Sequence, residues 1–488
     1  MASFQIDFLA KDGSSPDAEK ILKLVEWHQK SSIRQKILQN KSYYYKENWT
    51  IMHLPDRKYW SDRTAKDNAG NVIYDANGNP QKANYMVKNP YVSNNRVAYG
   101  IFADVVNQKV DTLLNETPNI TIRNKTKLDD RFEKNLGYSL KSGAIEMSCA
   151  GYGFVFQNNE NNLVGFKSED CIPFYDDYTG VLRAFIRYIE VRGLINDTTS
   201  KLFVEVYEED GLTVYVKDKK STLEVYTKKT PYKFTVEMSA IETNIKVQEI
   251  GKLPIIEFDN NKEKTSDLTP SLRAKIDAID LVQSGFVNNV EDFSDVFWVI
   301  KASGVGGDSD EYEEFLANIN KTKRIFAEQA TPEQFQIPHE ARSKLVEIFK
   351  QQIVEESGII DTKDLTSTQL TAVAIRASTL KLRQRISDCE WQIYKAVNEI
   401  MDLYQAYSGQ QFDYEVKFNK LILENTTEII DNLVKVQDYM SQDDILKILE
   451  KCEMIDDAEE TKKALEQESK YKLDDGEPTE ITELVEEV

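Results

Sequence analysis

Apolar residues in the first third of the chain are mostly spaced as in amphipathic helices. Such spacing occurs over residues 17–48, 94–114 and 129–150, and it places apolar side chains on one face of each segment. Pro118 closes the second segment. Residues 67–80 lie between these segments and contain two Asn/Gly turn clusters. The pattern therefore predicts three helical segments and an exposed hairpin.

Between residues 151 and 258 the pattern changes to short runs of β-branched and aromatic residues. Examples are GYGFVFQ, AFIRYIEV and KLFVEVYEED, and turn residues separate them. Runs of this length and composition are typical of strands joined by turns. This part of the chain is predicted to form a mainly antiparallel β region.

Two helices are predicted to bracket a small lobe in the second half of the chain. Ser266 or Asp267 is positioned to cap the first helix, which continues to about Asp295. The second helix covers residues 340–357. Between them lie the strand-like run VFWVIKAS and an acidic stretch, GVGGDSDEYEEF.

A much longer helix is predicted from about Leu370 to Tyr404, because neither proline nor glycine interrupts this segment. Its apolar positions change phase near residues 378–382, which predicts a bend or a change of packing partner. A strand at 412–418 and further helices up to about Lys470 follow. The apolar positions after the phase change are Leu382, Ile386, Cys389, Ile393, Val397, Ile400 and Tyr404.

Length and composition indicate a folded α+β protein with more than one structural unit. The chain has 488 residues, of which 41% are hydrophobic and 29% charged, values that are ordinary for globular proteins. Its net charge of −21 argues against tight, non-specific DNA binding, which needs a basic surface. An acidic balance suits a surface past which DNA slides, but solubility explains it equally well.

Neither a secretory signal nor a membrane span is apparent, and the cysteines show no metal or disulfide spacing. Cys149, Cys171, Cys389 and Cys452 lie far apart, as expected of buried thiols in a reducing cytoplasm. The histidines, His28, His53 and His339, also lack metal-site spacing, which favours ordinary surface or helix-face positions. We therefore expect a protein made and used in the cytosol, without membrane contact.

The sequence offers no convincing site for a cofactor, a metal ion or catalysis. GVGGDS lacks the Gly-Lys-Ser/Thr ending of a phosphate-binding loop. The acidic residues from Asp308 onward fail the calcium-loop pattern, since Glu313 replaces its glycine and Ile319 its final glutamate. Asp176 and Asp177 are better explained by a turn than by a catalytic pair. The chain is not expected to be an enzyme, and any ATP hydrolysis must belong to a partner.

A basic cluster on the long helix has three open interpretations. Its side chains can face DNA, face a carboxylate of a neighbouring subunit, or lie on a solvated helix face with intrahelical pairs. The cluster consists of Arg376, Lys381, Arg383 and Arg385.

Four stretches of this sequence resemble portal proteins of tailed phages, particularly long-tailed phages of Gram-positive bacteria. Residues 94–120 resemble an Asn-Arg pair leading a helix that ends before a strand, and 151–177 are similar to the family's glycine-tyrosine strand and hairpin. Residues 252–303 carry Pro254, Asn260, Asn261, Asp267, Leu268, Ile276, Asp277 and Ser284 in the expected places, and 370–391 match the start of its long helix. The resemblance spans about residues 20–470.

This resemblance implies a portal fold and a ring of twelve subunits. The implied parts are a mixed α/β wing, a two-helix stem, a small α/β clip, a tunnel loop, a long bent helix and a helical crown. They correspond to a flexible N-terminus at 1–19, the wing at 20–265 with the strand at 412–418, stem helices at 266–298 and 339–357, the clip at 299–338, the tunnel loop at 358–369, the long bent helix at 370–411, the crown at 425–470 and an acidic flexible tail at 471–488.

The resemblance also implies a function at one vertex of the virion's capsid, after assembly in the host cytoplasm. Terminase would package double-stranded DNA through the ring, and a head-completion adaptor would then replace terminase; major capsid and scaffolding proteins are further partners. A non-conduit ring or scaffold protein of capsid assembly is the alternative. The expected channel residues are Asp361, Lys363, Asp364, Thr366 and Gln369, and the expected clip surface comprises Asp308, Asp310, Glu311, Glu313 and Glu314.

Two features depart from the family pattern. Thr371 and Ala372 stand where a Ser-Gly pair usually opens the long helix, and the lobe at 67–80 resembles an addition.

Overall fold

The computed structural model describes most of the chain up to residue 292, and selected segments after it. The described ranges are 17–292, apart from gaps at 57, 67–70, 89–92, 123–127, 177, 193–199, 219–221, 239–242, 249 and 251, together with 339–360, 372–418, 435, 440–451 and 461–465. The predicted clip at 299–338 and the acidic tail lie outside them. So does the predicted N-terminal segment up to residue 16.

The chain divides into two units, and the long helix belongs to both. The first unit comprises Met1–Ile359 and Leu382–Lys420, and the second comprises Ile360–Lys381 and Leu421–Val488. The helix passes from one unit to the other between Lys381 and Leu382. This boundary lies at the end of the segment, 378–382, where the apolar positions change phase.

In the described residues, five helices precede the β region at 151–258, and polar side chains cap most of them. The predicted helix over 17–48 is in fact two helices, because Ser31 adopts an extended conformation and caps the second one. Asp17, Asn48 and Asp129 cap three others by accepting backbone N–H bonds. The helices are α1 Ala18–Lys30, α2 Ser32–Tyr44, α3 Trp49–Met52, α4 Ile101–Leu113 and α5 Asp130–Ala150.

The strands of the described region pair only in antiparallel fashion, as the sequence predicted. They are β1 Lys58–Thr64, β2 Lys82–Lys88, β3 Asn119–Ile122, β4 Tyr152–Gln157, β5 Leu163–Phe166, β6 Cys171–Tyr175, β7 Leu182–Arg192, β8 Ser200–Glu208, β9 Gly211–Lys217, β10 Glu224–Thr230, β11 Lys233–Met238, β12 Thr243–Gln248, β13 Ile255–Asp259 and β14 Tyr414–Lys417.

The largest sheet has five strands in the order β10-β9-β8-β7-β6, and a three-stranded sheet has the order β13-β4-β5. Two hairpins, β1–β2 and β11–β12, form separate pairs. The described part of the hairpin predicted at 67–80 lies between β1 and β2, where isolated bridges join Lys66 to Val72 and Tyr74 to Pro80. The late strand β14 pairs with β3, which lies about 290 residues earlier in the chain.

Helix α1 covers one face of the five-stranded sheet. Ile21, Leu22 and Val25 pack against sheet residues that include Val204 and Tyr215. Each of these side chains loses nearly all its solvent contact, and burying a side chain of this size stabilises the fold by roughly 1.5–3 kcal/mol. The apolar spacing seen in the sequence therefore corresponds to a real interface.

Gly151 allows helix α5 to end against residues 264–265. It adopts a left-handed conformation, with φ of 96°, that closes α5. A Cβ atom at this position would lie 2.2 Å from the carbonyl oxygen of Lys264. Only glycine satisfies both demands, so this turn fixes the start of β4 beside the segment that leads to the next helix.

The later helices are α6 Pro270–Asp292, α7 His339–Ser357, α8 Ala372–Ser408 and α9 Gln442–Lys451. The predicted apolar face of the long helix is confirmed from Leu382 to Ile400, where its members are buried. In the second unit, Lys462 pairs with Asp443 at the start of α9, with 2.7 Å between Nζ and Oδ1. No helix of the described segments is long and apolar enough to cross a membrane.

Candidate functional site: helices α6 and α7 and the Asp267 junction

Helix α6 begins later than the sequence suggested, and its cap is a different residue. The hydroxyl of Thr269 accepts a hydrogen bond from the Leu272 backbone N–H at 3.1 Å, and Pro270 occupies the first helical position, which proline favours. The prediction that Ser266 or Asp267 caps this helix is wrong. The side chain of Asp267 instead turns inward.

Asp267 is the centre of a buried polar cluster, which we call the Asp267 junction. Its carboxylate accepts from Lys109 Nζ at 2.9 Å and from Asn260 Nδ2 at 3.1 Å, and it lies 3.3 Å from Arg385 Nη2. The same ammonium group of Lys109 also donates to Asn260 Oδ1 at 2.6 Å. Helix α4, the end of β13, the start of α6 and helix α8 therefore meet through one carboxylate.

The protonation of Asp267 follows from two opposing effects. Burial by itself raises the pKa of this carboxyl, but the positive charges of Lys109 and Arg385 outweigh it and hold the pKa below its usual value. Asp267 is therefore ionised at neutral pH. The junction contains two cations and one anion, with polar groups around them.

Arg385 links this junction to the end of helix α7. Its guanidinium also donates to the backbone carbonyl of Ser357, the last residue of α7. A cation at a helix C-terminus is favourable because unpaired carbonyls collect there. Gly358 then turns the chain with a φ of 67°, so Arg385 holds the end of α7 at the residue before this turn.

Helices α6 and α7 are joined by one carboxylate. Glu356 accepts from Thr269 Oγ1 at 2.9 Å, from Ser271 Oγ at 3.0 Å and from the ammonium of Lys275. The hydrogen bond from Lys275 is the main reason that the pKa of Glu356 falls below its usual value. The C-terminal turn of α7 is thereby held at the first turn of α6.

One face of α6 is bound to the body of the first unit by polar contacts. Asp277 accepts from Tyr43 Oη at 2.6 Å, and Asp280 accepts from Asn48 Nδ2 at 2.8 Å and from the backbone N–H of Tyr99 at 2.9 Å. Further along, Ser284 accepts from the backbone N–H of Val97 at 2.9 Å. These contacts involve one face of α6 only, and another face of the helix stays accessible to solvent.

The remaining faces of the two helices expose apolar side chains. Leu281 on α6 is 54% exposed, and Ile348 on α7 is 43% exposed. Val287, Val290 and Leu345 are also exposed. Several such side chains on neighbouring helices are typical of a surface that packs against another protein. Helix α6 therefore combines a polar attachment on one face with exposed apolar side chains on another, and α7 beside it adds further exposed apolar side chains.

All the residues predicted to line the channel or to form the clip surface lie outside the described part of the chain. This applies to the channel set (Asp361, Lys363, Asp364, Thr366 and Gln369) and to the clip set (Asp308, Asp310, Glu311, Glu313 and Glu314).

The structure describes the side chains of some members of the predicted basic cluster. Arg376 lies in α8, but its side chain is outside the described residues, whereas Lys381 is exposed and Arg383 is half-buried. Arg385 contacts Asp267 and the backbone carbonyl of Ser357 in its own chain. Those partners are neither DNA nor intrahelical carboxylates, so the sequence interpretations did not include them.

The Asp267 junction itself was missed by sequence reasoning. Its three charged members lie at positions 109, 267 and 385, and no local pattern connects them. Among the described residues no group of three or more histidine, cysteine or carboxylate side chains is close enough to hold a metal ion.

Comparison with known sequences shows to which protein family this chain belongs. Residues 24–472 match the model of the family described as phage portal protein, SPP1 Gp6-like. The chain belongs to this family. The match covers nearly the whole sequence, and it confirms both the resemblance to portal proteins and the predicted α+β portal fold.

Two curated portal proteins are similar to this portal chain. The portal protein of Clostridium phage phiCD119 is 25% identical over 393 residues, which are 74% of this chain and 76% of the relative. The portal protein of Bacillus phage SPP1 is 27% identical over 319 residues, 64% of this chain and 56% of the relative. The alignment thus spans little more than half of the SPP1 protein.

Two solved structures from gene transfer agent particles are also similar. A chain from the neck of the native particle is 12% identical with a TM-score of 0.36, and the match covers 71% of this chain and 90% of that one. A chain from the virion is 9% identical with a TM-score of 0.34, covering 71% and 92% respectively.

Proposed function

We propose that this protein is the subunit of a ring-shaped channel at one vertex of a phage capsid. Double-stranded DNA enters through this channel during packaging and leaves through it during ejection. The observation that carries the proposal is the family match over residues 24–472, because the matched residues make up nearly the whole chain. The relatives named portal proteins support the same conclusion.

Copies of this chain pack side by side in the proposed ring. The exposed apolar residues of α6 and α7, such as Leu281 and Ile348, suit such an interface. A ring needs a heterologous contact, in which one face of a subunit meets a different face of the next. The polar attachment of α6 on its other side supports this use, since it keeps the helix fixed while its apolar face is engaged.

The motor that drives packaging is a separate protein in this proposal, the terminase large subunit. The sequence contains no Gly-Lys-Ser/Thr phosphate-binding loop. The acidic side chains from Asp308 to Glu314 are proposed to bind terminase first and a head-completion adaptor afterwards. Residues Asp361, Lys363, Asp364, Thr366 and Gln369 are proposed to line the channel, and capsid and scaffolding proteins surround the ring.

Electron microscopy of the purified protein, combined with mass determination, tests this proposal. We expect rings with an axial channel about as wide as a DNA duplex, and particle masses equal to an integral number of 56.1 kDa subunits. Rings without an axial channel would favour the alternative, a scaffold protein of capsid assembly. Monomers or closed dimers at every salt concentration, together with normal packaging in a phage that lacks the protein, would refute it.

A further inference from the structure

A cavity of about 350 Å³ opens between helices α1 and α2, strand β6 and residues 263–266. Its apolar wall includes Trp27 from α1, Ile33 and Ile37 from α2, and Ile172 from β6. This volume lies within the range of roughly 300–1,000 Å³ that is usual for ligand pockets. The cavity is large enough to receive apolar side chains.

Some of the apolar side chains that line this cavity are exposed to solvent. Trp27 is 46% exposed and Ile33 is 41% exposed, whereas Ile37 and Ile172, which also line the cavity, are buried. Strand β6 forms one edge of the five-stranded sheet, and Pro173 within it also lines the cavity. Exposed apolar side chains beside an apolar cavity are typical of a surface that binds a further segment of chain.

We propose that the cavity is filled by the N-terminal arm of the same subunit, which we define as residues 1–16. The arm carries the run FQIDF, in which Phe4, Ile6 and Phe8 alternate with polar residues. In an extended chain this alternation places the three apolar side chains on one face. A segment with that pattern has an apolar face that needs a partner, and the cavity provides one.

The arm is long enough to reach the cavity of its own subunit. It joins α1 at Asp17, the helix cap, and Trp27 follows within the same helix. The helix rise from Ala18 to Trp27 is about 14 Å at ~1.5 Å per residue. Residues 9–16 span up to roughly 26 Å when extended. The chain can therefore turn back along α1 and bring Phe8 to the cavity.

Because the connection between the arm and α1 is short, docking into the cavity of the same subunit is favoured over docking into that of a neighbouring subunit. The cost of closing a loop grows with its length, and only about eight residues separate Phe8 from the start of α1. A segment tethered this closely acts at an effective concentration of roughly millimolar. The proposal is independent of the channel function, since it concerns the closing of the first unit's own core.

Limited digestion with trypsin of the full-length protein tests the proposal. Lys11 is the first basic residue of the chain, and docking of residues 4–9 should protect the peptide bond that follows it. Ile33→Asp places a charge at the cavity mouth, so we expect cleavage after Lys11 to become at least about tenfold faster, as loss of about 1.4 kcal/mol of docking energy requires. Replacing both Phe4 and Phe8 by alanine should have the same effect.

Val225→Asp is the matched control, because Val225 is 49% exposed and lies on β10, at the opposite edge of the sheet. It adds the same charge at a similar exposure and should leave the cleavage rate unchanged. Equal cleavage rates in the original protein, Ile33→Asp and the double-alanine variant would overturn the proposal.

A photo-crosslinking amino acid at position 8 identifies the occupant directly. We expect irradiation to join position 8 to α1, α2 or β6 of the same chain, in a product that keeps the monomer mass on a denaturing gel. Crosslinks that join two chains would overturn the assignment to the arm's own subunit. Crosslinks to residues far from the cavity would overturn docking altogether.

Discussion

At the residue scale, the most consequential side chain is Asp267. Local reasoning placed it as a helix cap, since aspartate just before an apolar-periodic segment usually has that role. Its actual partners, Lys109 and Arg385, are more than a hundred residues away in each direction. Periodicity and turn residues report on local structure, so no property of the sequence near 267 could reveal this contact.

Replacing Asp267 by alanine should lower the free energy of unfolding of the first unit by about 3–5 kcal/mol. The change leaves the buried ammonium of Lys109 and the half-buried guanidinium of Arg385 without their shared anion, and breaking a buried pair from one side has a cost of this size. Asp388→Ala, at an exposed position of α8, is the control and should change stability by less than about 0.5 kcal/mol. Chemical denaturation monitored by circular dichroism measures both. Similar losses in the two variants would contradict a special role for the junction.

His28 should make the protein sensitive to acid. The sequence suggested a surface or helix-face residue, but the ring is buried and its Nδ1 lies 2.9 Å from Tyr188 Oη. Burial, aided by the charge of Arg34, lowers the pKa of His28 to about 4. In the unfolded chain the pKa is near 6.5, so the unfolded state binds more protons between these values and stability falls as the pH falls.

This histidine should account for a loss of about 2 kcal/mol in the free energy of unfolding between pH 7 and pH 5. Denaturant titrations at both pH values measure the loss, and His28→Gln should remove that part of it. His53→Gln serves as the control, since His53 is exposed. A pH dependence that is identical in all three proteins would show that His28 is not responsible.

At the scale of elements, apolar spacing predicted most of the helices and strands, but it did not predict where adjacent elements are divided. The helix predicted over 17–48 breaks at Ser31, whose hydroxyl accepts from the Arg34 backbone N–H at 3.2 Å. Both halves carry apolar residues at helical spacing, so the pattern alone could not show the break. The phase change near 378–382 coincides with the point where α8 passes from one unit to the other, and the bend or change of packing partner that it predicts there stays a prediction.

The apolar faces of α6 and α7 should be required for ring assembly. A double variant, Leu281→Asp with Ile348→Asp, places two charges on surfaces proposed to be buried between subunits, so we expect a folded monomer or small oligomer. Analytical ultracentrifugation measures the assembly state, and circular dichroism checks the fold. Val164→Asp, 42% exposed on β5, is the control and should assemble normally. Normal rings from the double variant would place the interface elsewhere.

At the scale of the whole molecule, the architecture came from the family resemblance rather than from periodicity. Composition and spacing predicted an α+β chain with several units. They did not predict that β14 would pair with β3 or that residues from α8 would complete the first unit. Such contacts join distant parts of the chain, and the spacing of apolar residues does not specify them.

Alanine substitutions at Asp361, Lys363, Asp364, Thr366 and Gln369 should reduce the efficiency of DNA packaging and the retention of packaged DNA. We expect this loss because these residues, which follow α7 in the sequence, are proposed to line the channel. Ring formation should be unchanged, and microscopy of the variant rings is the check. Packaging and retention equal to those of the unchanged protein would refute the channel assignment.

Binding of terminase to the ring should weaken as salt increases. The proposed contact surface contains Asp308, Asp310, Glu311, Glu313 and Glu314, and exposed charges lose most of their interaction when the Debye length shortens. Replacing these five residues by their amides should weaken binding at low salt and flatten the salt dependence. Surface plasmon resonance at several salt concentrations measures both effects. Binding that is tight and independent of salt would exclude this surface as an electrostatic contact.

The pairing of β14 with β3 also determines when a newly made subunit can finish folding. The ribosome completes β3 after about a quarter of the chain, whereas β14 is made about 290 residues later. At roughly 5–20 residues per second this interval lasts about 15–60 s. During that time β3 lacks its partner, and the apolar surface that α8 later covers is open to other proteins. A nascent subunit should therefore depend on chaperones until about residue 420 has left the ribosome.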